Sequence, residues 1–246
     1  MTAGPDHGRR GGAGRPVELV IFDCDGVLID SELISARMLI AELSRLGITI
    51  DLAYVARHFL GRSYPTVMKT IRDDFGLTLP EGFESQYRSR LLQAFERELK
   101  VMPGVHAVLS RIARRWCVAT SSSPGRAARS LQLAGLDGLV GDRLFTAADV
   151  ARGKPAPDLF LHAARQMGAD PAAALVIEDS LNGIRAARAA GMAVWRFTGG
   201  SHMRQQDLVE PPDARADQAF ATFAEFFQIA PELQHETGEL DGPRRQ

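Results

Sequence analysis

Apolar runs bounded by polar residues divide the chain into short predicted strands and longer predicted helices. The runs at residues 17–22, 116–120, 174–177 and 193–197 contain few polar residues and show no regular alternation. Such runs are typical of strands buried on both faces, as in a parallel sheet covered by helices. Because helical patterns separate the later runs, we predict an α/β fold with a doubly wound, Rossmann-like parallel sheet.

Capping residues indicate where several of these helices begin and end. Ser123 is a plausible N-cap, with Pro124 at the first helical position and Gly135 after the last turn. Further helices are predicted over residues 158–167 and 181–190, and each is followed directly by a glycine.

The segment from residue 32 to residue 100 contains no convincing strand and is predicted to be entirely helical. It holds amphipathic patterns at residues 33–46 and 65–75, followed by an apolar stripe with a spacing of four residues. The residues of that stripe are Phe83, Tyr87, Leu91, Phe95 and Leu99. An all-helical segment thus interrupts the α/β pattern directly after the first strand, and we interpret the stripe as core packing.

These patterns give a domain organisation. We expect a disordered leader at residues 1–15, which is rich in glycine and arginine, and a polar tail at residues 231–246. The Rossmann-like core is predicted to comprise residues 16–31 and 101–230. Residues 32–100 form the inserted α-helical cap domain.

Polar residues suited to phosphate and metal follow the predicted strands or precede a helix. In open α/β sheets, ligands bind beyond the carboxyl ends of the strands, where most of these residues fall. Two nearby aspartates alone could be a solvated turn, but several such sets at matching positions predict a binding site. The residues are Asp23, Asp25, Thr120, Ser121, Ser122, Lys154, Glu178 and Asp179.

The order and spacing of these residues resemble the four motifs of the haloacid dehalogenase superfamily. The resemblance is to the branch with a helical cap inserted after the first motif, which includes β-phosphoglucomutase, phosphoglycolate phosphatase and sugar-phosphate phosphatases. It extends over residues 17–198. The matching residues are Asp23, Asp25 and Asp30, then Thr120, then Lys154 in a Gly-Lys-Pro-x-Pro segment, then Glu178 and Asp179.

Three short segments indicate which members of this branch the chain resembles most. Residues 22–26, 30–32 and 47–49 are most similar to bacterial 6-phosphogluconate-type phosphatases. The resemblance therefore implies a phosphatase that acts on a small phosphorylated metabolite, such as a sugar or sugar-acid phosphate.

The resemblance also implies roles for the core residues, and physical chemistry agrees with them. Asp23 would attack phosphorus and form an aspartyl-phosphate, which divides one difficult reaction into two. Asp25 would protonate the leaving oxygen and then deprotonate the attacking water. Thr120 would bind a phosphoryl oxygen through its hydroxyl and Ser121 through its backbone amide, while Lys154 would supply a positive charge.

A divalent cation is expected because a phosphoryl group repels a carboxylate nucleophile. The candidate ligands are hard oxygens, and no cysteine–histidine cluster accompanies them, so Mg²⁺ is favoured over zinc. We predict as its ligands Asp23, the Asp25 carbonyl, Asp179 and Glu178.

The cap is expected to be mobile and to select the substrate, because the core residues handle only the phosphoryl group. Its loop at residues 62–64 is the predicted contact with the leaving group. The candidate substrate-binding residues are Cys24, Ser121, Ser122, Arg62, Ser63 and Tyr64, although the Cys24 side chain is expected to point into packing. The histidines are interpreted as surface or loop residues.

Two departures from β-phosphoglucomutase bear on the reaction type. Where that enzyme has a cap histidine and a cap arginine, this chain has Ser35 and Tyr64, and Arg62, two residues before Tyr64, is the alternative for the arginine. We therefore favour a phosphatase over a phosphosugar mutase. A dehalogenase is disfavoured because it needs no second aspartate, and Asp25 is present. A non-catalytic protein that binds a phosphorylated metabolite is the alternative from another class.

Composition and charge bear on the partners and the cellular location of the protein. The formal net charge is −1, which excludes nucleic-acid binding driven by overall charge. No apolar run approaches the roughly 20 residues that cross a bilayer, and the two cysteines favour a reducing cytosol. We expect a cytoplasmic monomer whose partner is a small phosphorylated substrate, with neither nucleic acid nor membrane.

Overall fold

One parallel sheet forms the centre of the molecule. The structure is a computed structural model that describes residues 15–77, 79–205 and 210–235. Within these ranges the strands are β1 (Leu19–Phe22), β2 (Arg115–Thr120), β3 (Leu144–Thr146), β4 (Ala174–Glu178), β5 (Ala193–Phe197) and β6 (Gln218–Phe220). They form a 6-stranded parallel sheet in the order β3-β2-β1-β4-β5-β6.

Strand β1 lies in the middle of this sheet, which explains its nearly continuous apolar sequence. Phe22 at its end pairs with Val118 of β2 and with Ile177 of β4. Successive side chains of a strand point to opposite faces, so Val20 and Phe22 pack in one core cluster and Leu19 and Ile21 in the other. Both faces are covered, and the predicted fold class is confirmed.

The segment between β1 and β2 begins with consecutive helices that have a buried cluster of their own. They are α1 (Glu32–Ser44), α2 (Leu52–His58), α3 (Tyr64–Phe75) and α4 (Phe83–Glu98). The apolar stripe of α4 is buried as predicted for Phe83, Tyr87, Leu91 and Phe95, because residues three to four apart share one helix face. That this segment acts as a mobile cap stays a prediction.

Two antiparallel connections join the cap segment to the core. The Asp30 amide donates to the Lys100 carbonyl over 2.9 Å, and the Met102 amide donates to the Leu28 carbonyl over 2.9 Å. Farther along, the loop between α2 and α3 touches the core. There the Ser121 hydroxyl donates to the Gly61 carbonyl over 3.0 Å, and the side-chain amide of Asn182 donates to the Leu60 carbonyl over 2.9 Å.

The remaining helices flank the sheet. The α-helices are α5 (Val105–Arg111), α6 (Pro124–Leu133), α7 (Asp137–Val140), α8 (Asp158–Gln166), α9 (Leu181–Ala189) and α10 (Phe223–Ile229). Short 3₁₀ helices occupy Ala147–Asp149, Pro171–Ala173, Ser201–Gln205, Pro212–Ala214 and Pro231–Leu233. None of the helices in the described ranges is long and apolar enough to span a membrane.

The structure adds elements that the patterns did not predict. Strands β3 and β6 are edge strands of 3 residues each, too short for a periodicity to show. The first residues of the predicted polar tail are packed rather than frayed, since Leu233 is buried and its carbonyl accepts from the Ala113 amide over 2.7 Å. The predicted leader, apart from Arg15, and residues 236–246 lie outside the described residues.

Candidate active site

The carboxyl ends of the three central strands bring the predicted residues together. Asp23 follows β1, Thr120 ends β2, and Glu178 ends β4, so the parallel register places all three at one edge of the sheet. The Asp23 amide donates to the Ile177 carbonyl over 2.9 Å, which extends the pairing by one residue. Asp23 is 6% exposed and Asp25 7%.

Lys154 links two of these carboxylates. Its ammonium nitrogen lies 2.7 Å from Asp23 Oδ1 and 2.8 Å from Glu178 Oε1, and it donates to the Ala119 carbonyl over 3.2 Å. Lys154 is 3% exposed, and burial alone would lower its pKa. The two carboxylates outweigh burial and raise the pKa, so the ammonium stays charged.

Negative charge exceeds positive charge around Asp23. Burial raises the pKa of Asp23, Lys154 opposes that rise, and Glu178, Asp179 and Asp25 add to it. The pKa of Asp179 is also raised, by burial first and then by Glu178. Such a cluster is stabilised by an additional cation.

The donor set fits a hard divalent cation. Oxygen atoms of Asp23, Glu178 and Asp179 lie within 4.8 Å of one another. The Asp179 Oδ2 atom is buried and accepts no hydrogen bond from a described residue, although His202 Nε2 is 2.9 Å away. Glu178 is less available, because Lys154 holds Oε1 while the Ser180 amide and hydroxyl donate to Oε2 over 2.7 and 3.0 Å.

Two glycines leave the room that these carboxylates occupy. A Cβ atom at Gly26 would overlap Asp179 Oδ2, and a Cβ atom at Gly183 would overlap Glu178 Oε1. Gly26 also has a φ of 79°, which favours glycine on conformational grounds. The acidic cluster therefore depends on the absence of side chains at both positions.

The Asp25 carboxylate accepts from four donors. Its Oδ1 atom accepts from Ser31 Oγ over 2.6 Å and from Arg126 Nη2 over 2.8 Å. Its Oδ2 atom accepts from Ser122 Oγ over 2.6 Å and from Thr120 Oγ1 over 3.3 Å. Burial alone would raise the pKa of Asp25, but Arg126 and the hydroxyl donors outweigh it and lower the pKa. In this arrangement the Thr120 hydroxyl thus points toward Asp25.

A cleft between the core and the cap opens onto both aspartates. The lining residues from the core include Asp23, Asp25, Thr120, Ser121, Ser122, Arg126 and Lys154, and those from the cap include Glu32, Ser35, Phe59, Arg62, Tyr64, Tyr87 and Arg88. The buried Nε atom of Arg62 and the buried hydroxyl of Tyr64 have no hydrogen-bond partner among the described residues. Both can therefore serve a ligand.

Two predicted substrate-binding side chains do not line this cleft. Cys24 is 1% exposed and packs in the core cluster beneath the sheet edge, because neighbouring residues at the strand end face opposite ways. Ser63 precedes α3 at the N-cap position, and its hydroxyl lies 3.0 Å from Thr66 Oγ1.

Several residues at the site were not predicted. Arg88 and Arg126 fell within predicted helices, and Ser31 and Glu32 fell at the predicted junction of core and cap. Periodicity does not show which distant group a polar side chain meets. His202 was interpreted as a surface or loop residue and is only 6% exposed, beside Asp179. The Asp30 side chain of the first motif anchors the segment that carries His202, since it accepts hydrogen bonds from the Ser201 amide and hydroxyl over 3.0 and 2.8 Å.

The haloacid dehalogenase-like hydrolase family matches residues 17–191 of this chain, which therefore belongs to that family. The chain is 31% identical over 196 residues to the 6-phosphogluconate phosphatase of Escherichia coli K12, with 79% of this chain and 88% of that protein covered. The predicted family is confirmed, and phosphatase-named relatives support the predicted class of phosphoric monoester hydrolase.

Solved structures similar to this chain also belong to the haloacid dehalogenase-like family. A haloacid dehalogenase-like protein from Agrobacterium tumefaciens has a TM-score of 0.71 and 32% identity, covering 88% of this chain and 98% of that one. A hydrolase of the family from Deinococcus radiodurans, solved with bound phosphate and sodium, has a TM-score of 0.69 and 29% identity, covering 89% and 96%.

Proposed function

We propose that this chain is a Mg²⁺-dependent phosphatase that hydrolyses a sugar or sugar-acid phosphate through an aspartyl-phosphate on Asp23. The observation that carries the proposal is the pair Asp23 and Asp25 at the end of the central strand, facing a cleft, with Lys154 2.7 Å from Asp23. The relative named 6-phosphogluconate phosphatase supports the substrate class, and the related structure with bound phosphate supports a phosphate site.

The reaction proceeds in two displacements. An Asp23 oxygen attacks phosphorus as the bond to the leaving oxygen breaks, and Asp25 gives that oxygen a proton. Water then attacks the same phosphorus, Asp25 takes its proton, and the bond between phosphorus and Asp23 breaks. Lys154 orients Asp23 and offsets the charge of the phosphoryl oxygens. Asp23, Glu178, Asp179 and the Asp25 carbonyl would hold Mg²⁺, which would supply the remaining positive charge when bound.

The cap supports a phosphatase rather than a mutase. A mutase must hold two phosphates and protect the aspartyl-phosphate from water. The Ser35 hydroxyl, at the position of the mutase histidine, donates to the Ser31 carbonyl over 2.9 Å and accepts from Arg126 over 3.1 Å. The Tyr64 ring, at the position of the mutase arginine, stacks on Tyr87 with centroids 5.7 Å apart.

A substrate panel tests the proposal directly. The purified protein should release phosphate in the presence of Mg²⁺ from p-nitrophenyl phosphate and, with higher kcat/KM, from at least one sugar or sugar-acid phosphate in a panel that includes 6-phosphogluconate. The panel should also contain phosphoglycolate and hexose 1- and 6-phosphates. If no ester in the panel were hydrolysed faster than by buffer, the chain would instead be a binding protein.

Metal removal should abolish this activity. We expect EDTA to reduce phosphate release to background and excess Mg²⁺ to restore it, because the acidic cluster needs a cation. Asp179→Asn should raise the Mg²⁺ concentration for half-maximal activity by about tenfold or more. It should also reduce the increase in melting temperature that Mg²⁺ causes in the substrate-free protein. Asp213→Asn is the control, since this exposed residue pairs with Arg185 and does not belong to the acidic cluster. Full activity in EDTA would contradict the metal assignment.

Arg62 should contribute to recognition of the leaving group. Its buried Nε atom lacks a partner in the described part of the chain, and it lines the cleft opposite the aspartates. A hydrogen bond to a charged group contributes about 1.5–3 kcal/mol. Arg62→Ala should therefore lower kcat/KM for the preferred substrate by about 10–100-fold and change that for p-nitrophenyl phosphate by less than about threefold.

Arg97→Ala is the matched control for Arg62, because it removes the same charge from an exposed position of α4. It should leave both substrates unaffected. Equal losses on both substrates in Arg62→Ala would place this side chain in folding or in the shared phosphoryl site.

A further inference from the structure

We infer that Arg126 is a positioning residue that sets the orientation of the Asp25 carboxyl group and connects it to the cap. The inference rests on the proposed function, because it assigns to Arg126 the control of the acid and base of that reaction. Arg126 lies in α6, directly after the loop of β2 that carries Ser121 and Ser122.

One guanidinium connects the core to two helices of the cap. Arg126 Nη2 donates to Asp25 Oδ1 over 2.8 Å and to Ser35 Oγ of α1 over 3.1 Å. The same guanidinium carbon lies 5.4 Å from the centroid of the Phe95 ring, which belongs to α4. Arg126 therefore contacts the carboxylate, the first cap helix and the last cap helix at once.

Arg126 differs from the other donors to Asp25. Ser31, Thr120 and Ser122 reach the carboxylate through hydroxyl groups that rotate freely and can serve other acceptors. A guanidinium is planar and always charged, and through Nη2 it holds the Asp25 Oδ1 atom in place with a charge-assisted hydrogen bond. Among these four donors it is the one whose loss removes a charge.

Orientation of Asp25 matters because its proton moves over a short distance. The acid must lie about 2.6–3.2 Å from the leaving oxygen, and a displacement of about 1 Å can lower the rate by about 10²-fold. In the first displacement the proton passes from Asp25 to the leaving oxygen as the phosphorus–oxygen bond breaks. A leaving group that is stable as an anion needs little of this help, whereas a poor one depends on it.

Two aryl phosphates of nearly the same shape allow a good leaving group to be compared with a poor one. Phenyl phosphate has a poorer leaving group than p-nitrophenyl phosphate, and neither ester carries the hydroxyl groups of a sugar phosphate. We expect Arg126→Ala to lower kcat/KM, which reports the first displacement alone, by about 10²-fold for phenyl phosphate and by less than about tenfold for p-nitrophenyl phosphate. The kcat/KM of Arg126→Lys for phenyl phosphate should lie between those of Arg126→Ala and the wild type, because lysine keeps the charge without the planar guanidinium.

Arg129 provides a matched control on the same helix. It pairs with Glu96 of α4 over 2.6 Å and thus also joins α6 to the cap, but it does not contact Asp25. Arg129→Ala should leave the ratio of the two aryl phosphate rates unchanged. A change in that ratio as large as in Arg126→Ala would assign the effect to cap docking and overturn the inference.

A double-mutant cycle tests whether Arg126 acts through Asp25. In an Asp25→Asn background, Arg126→Ala should cause less than a twofold further loss, because coupled residues are not additive. Multiplicative losses, or equal losses on both aryl phosphates, would overturn the inference. If Arg126→Ala does not fold, Arg126→Lys carries the same comparison. Failure of the proposed function is distinguishable, because the wild type would then hydrolyse neither ester.

Discussion

Asp23→Asn should abolish phosphate release, with a loss on the order of 10³-fold or more on every ester. The amide cannot form the bond to phosphorus that the aspartyl-phosphate requires. The fold should persist, because burial and the neighbouring carboxylates raise the pKa of Asp23, so the removal of its charge relieves repulsion in the cluster. Initial rates with p-nitrophenyl phosphate, together with melting temperatures, measure both effects.

A chemical trap identifies the attacked residue. Borohydride reduces an acyl phosphate to an alcohol, so quenching the working enzyme should convert Asp23 to homoserine, detectable by mass spectrometry. Asp213→Asn, an exposed substitution of the same type, should keep full activity and the same labelling. If Asp23→Asn retained even a tenth of the wild-type rate, the covalent mechanism would have to be abandoned.

Asp25→Asn is expected to produce the second-largest loss, because one carboxyl group serves both displacements. General acid–base groups contribute about 10²–10⁴-fold, and the loss should lie at the upper end for phenyl phosphate. The four donors around the carboxylate include Ser122 and Arg126, so the asparagine must place its amide nitrogen beside a donor. A modest decrease in melting temperature is therefore expected alongside the kinetic effect.

The kinetic signature separates this role from metal support. Burst experiments should show slow formation and slow hydrolysis of the aspartyl-phosphate in Asp25→Asn, while the Mg²⁺ concentration for half-maximal activity changes by less than about threefold. A normal rate on phenyl phosphate combined with weakened Mg²⁺ binding would limit Asp25 to metal support.

Most of the core was predictable because strand burial and strand ends are local features of sequence. The apolar run before Asp23 indicated a central strand, and the paired polar groups after it indicated ligand binding at the sheet edge. Ser123 and Pro124 located the start of α6 because capping acts within one turn. The edge strand β3 escaped prediction, since its three residues carry no periodicity.

The sequence alone determined the parallel sheet, the helical insertion and the strand ends that carry Asp23, Thr120 and Glu178. Only the tertiary structure decided which side chains meet there. Arg126 reaches Asp25 across 101 residues, and His202 lies 2.9 Å from Asp179 although it was interpreted as a surface or loop residue. The physical reason is that periodicity and capping record each residue's neighbours within a turn or a strand. Contacts between distant charges depend instead on strand register and helix packing, which form only when the whole chain folds.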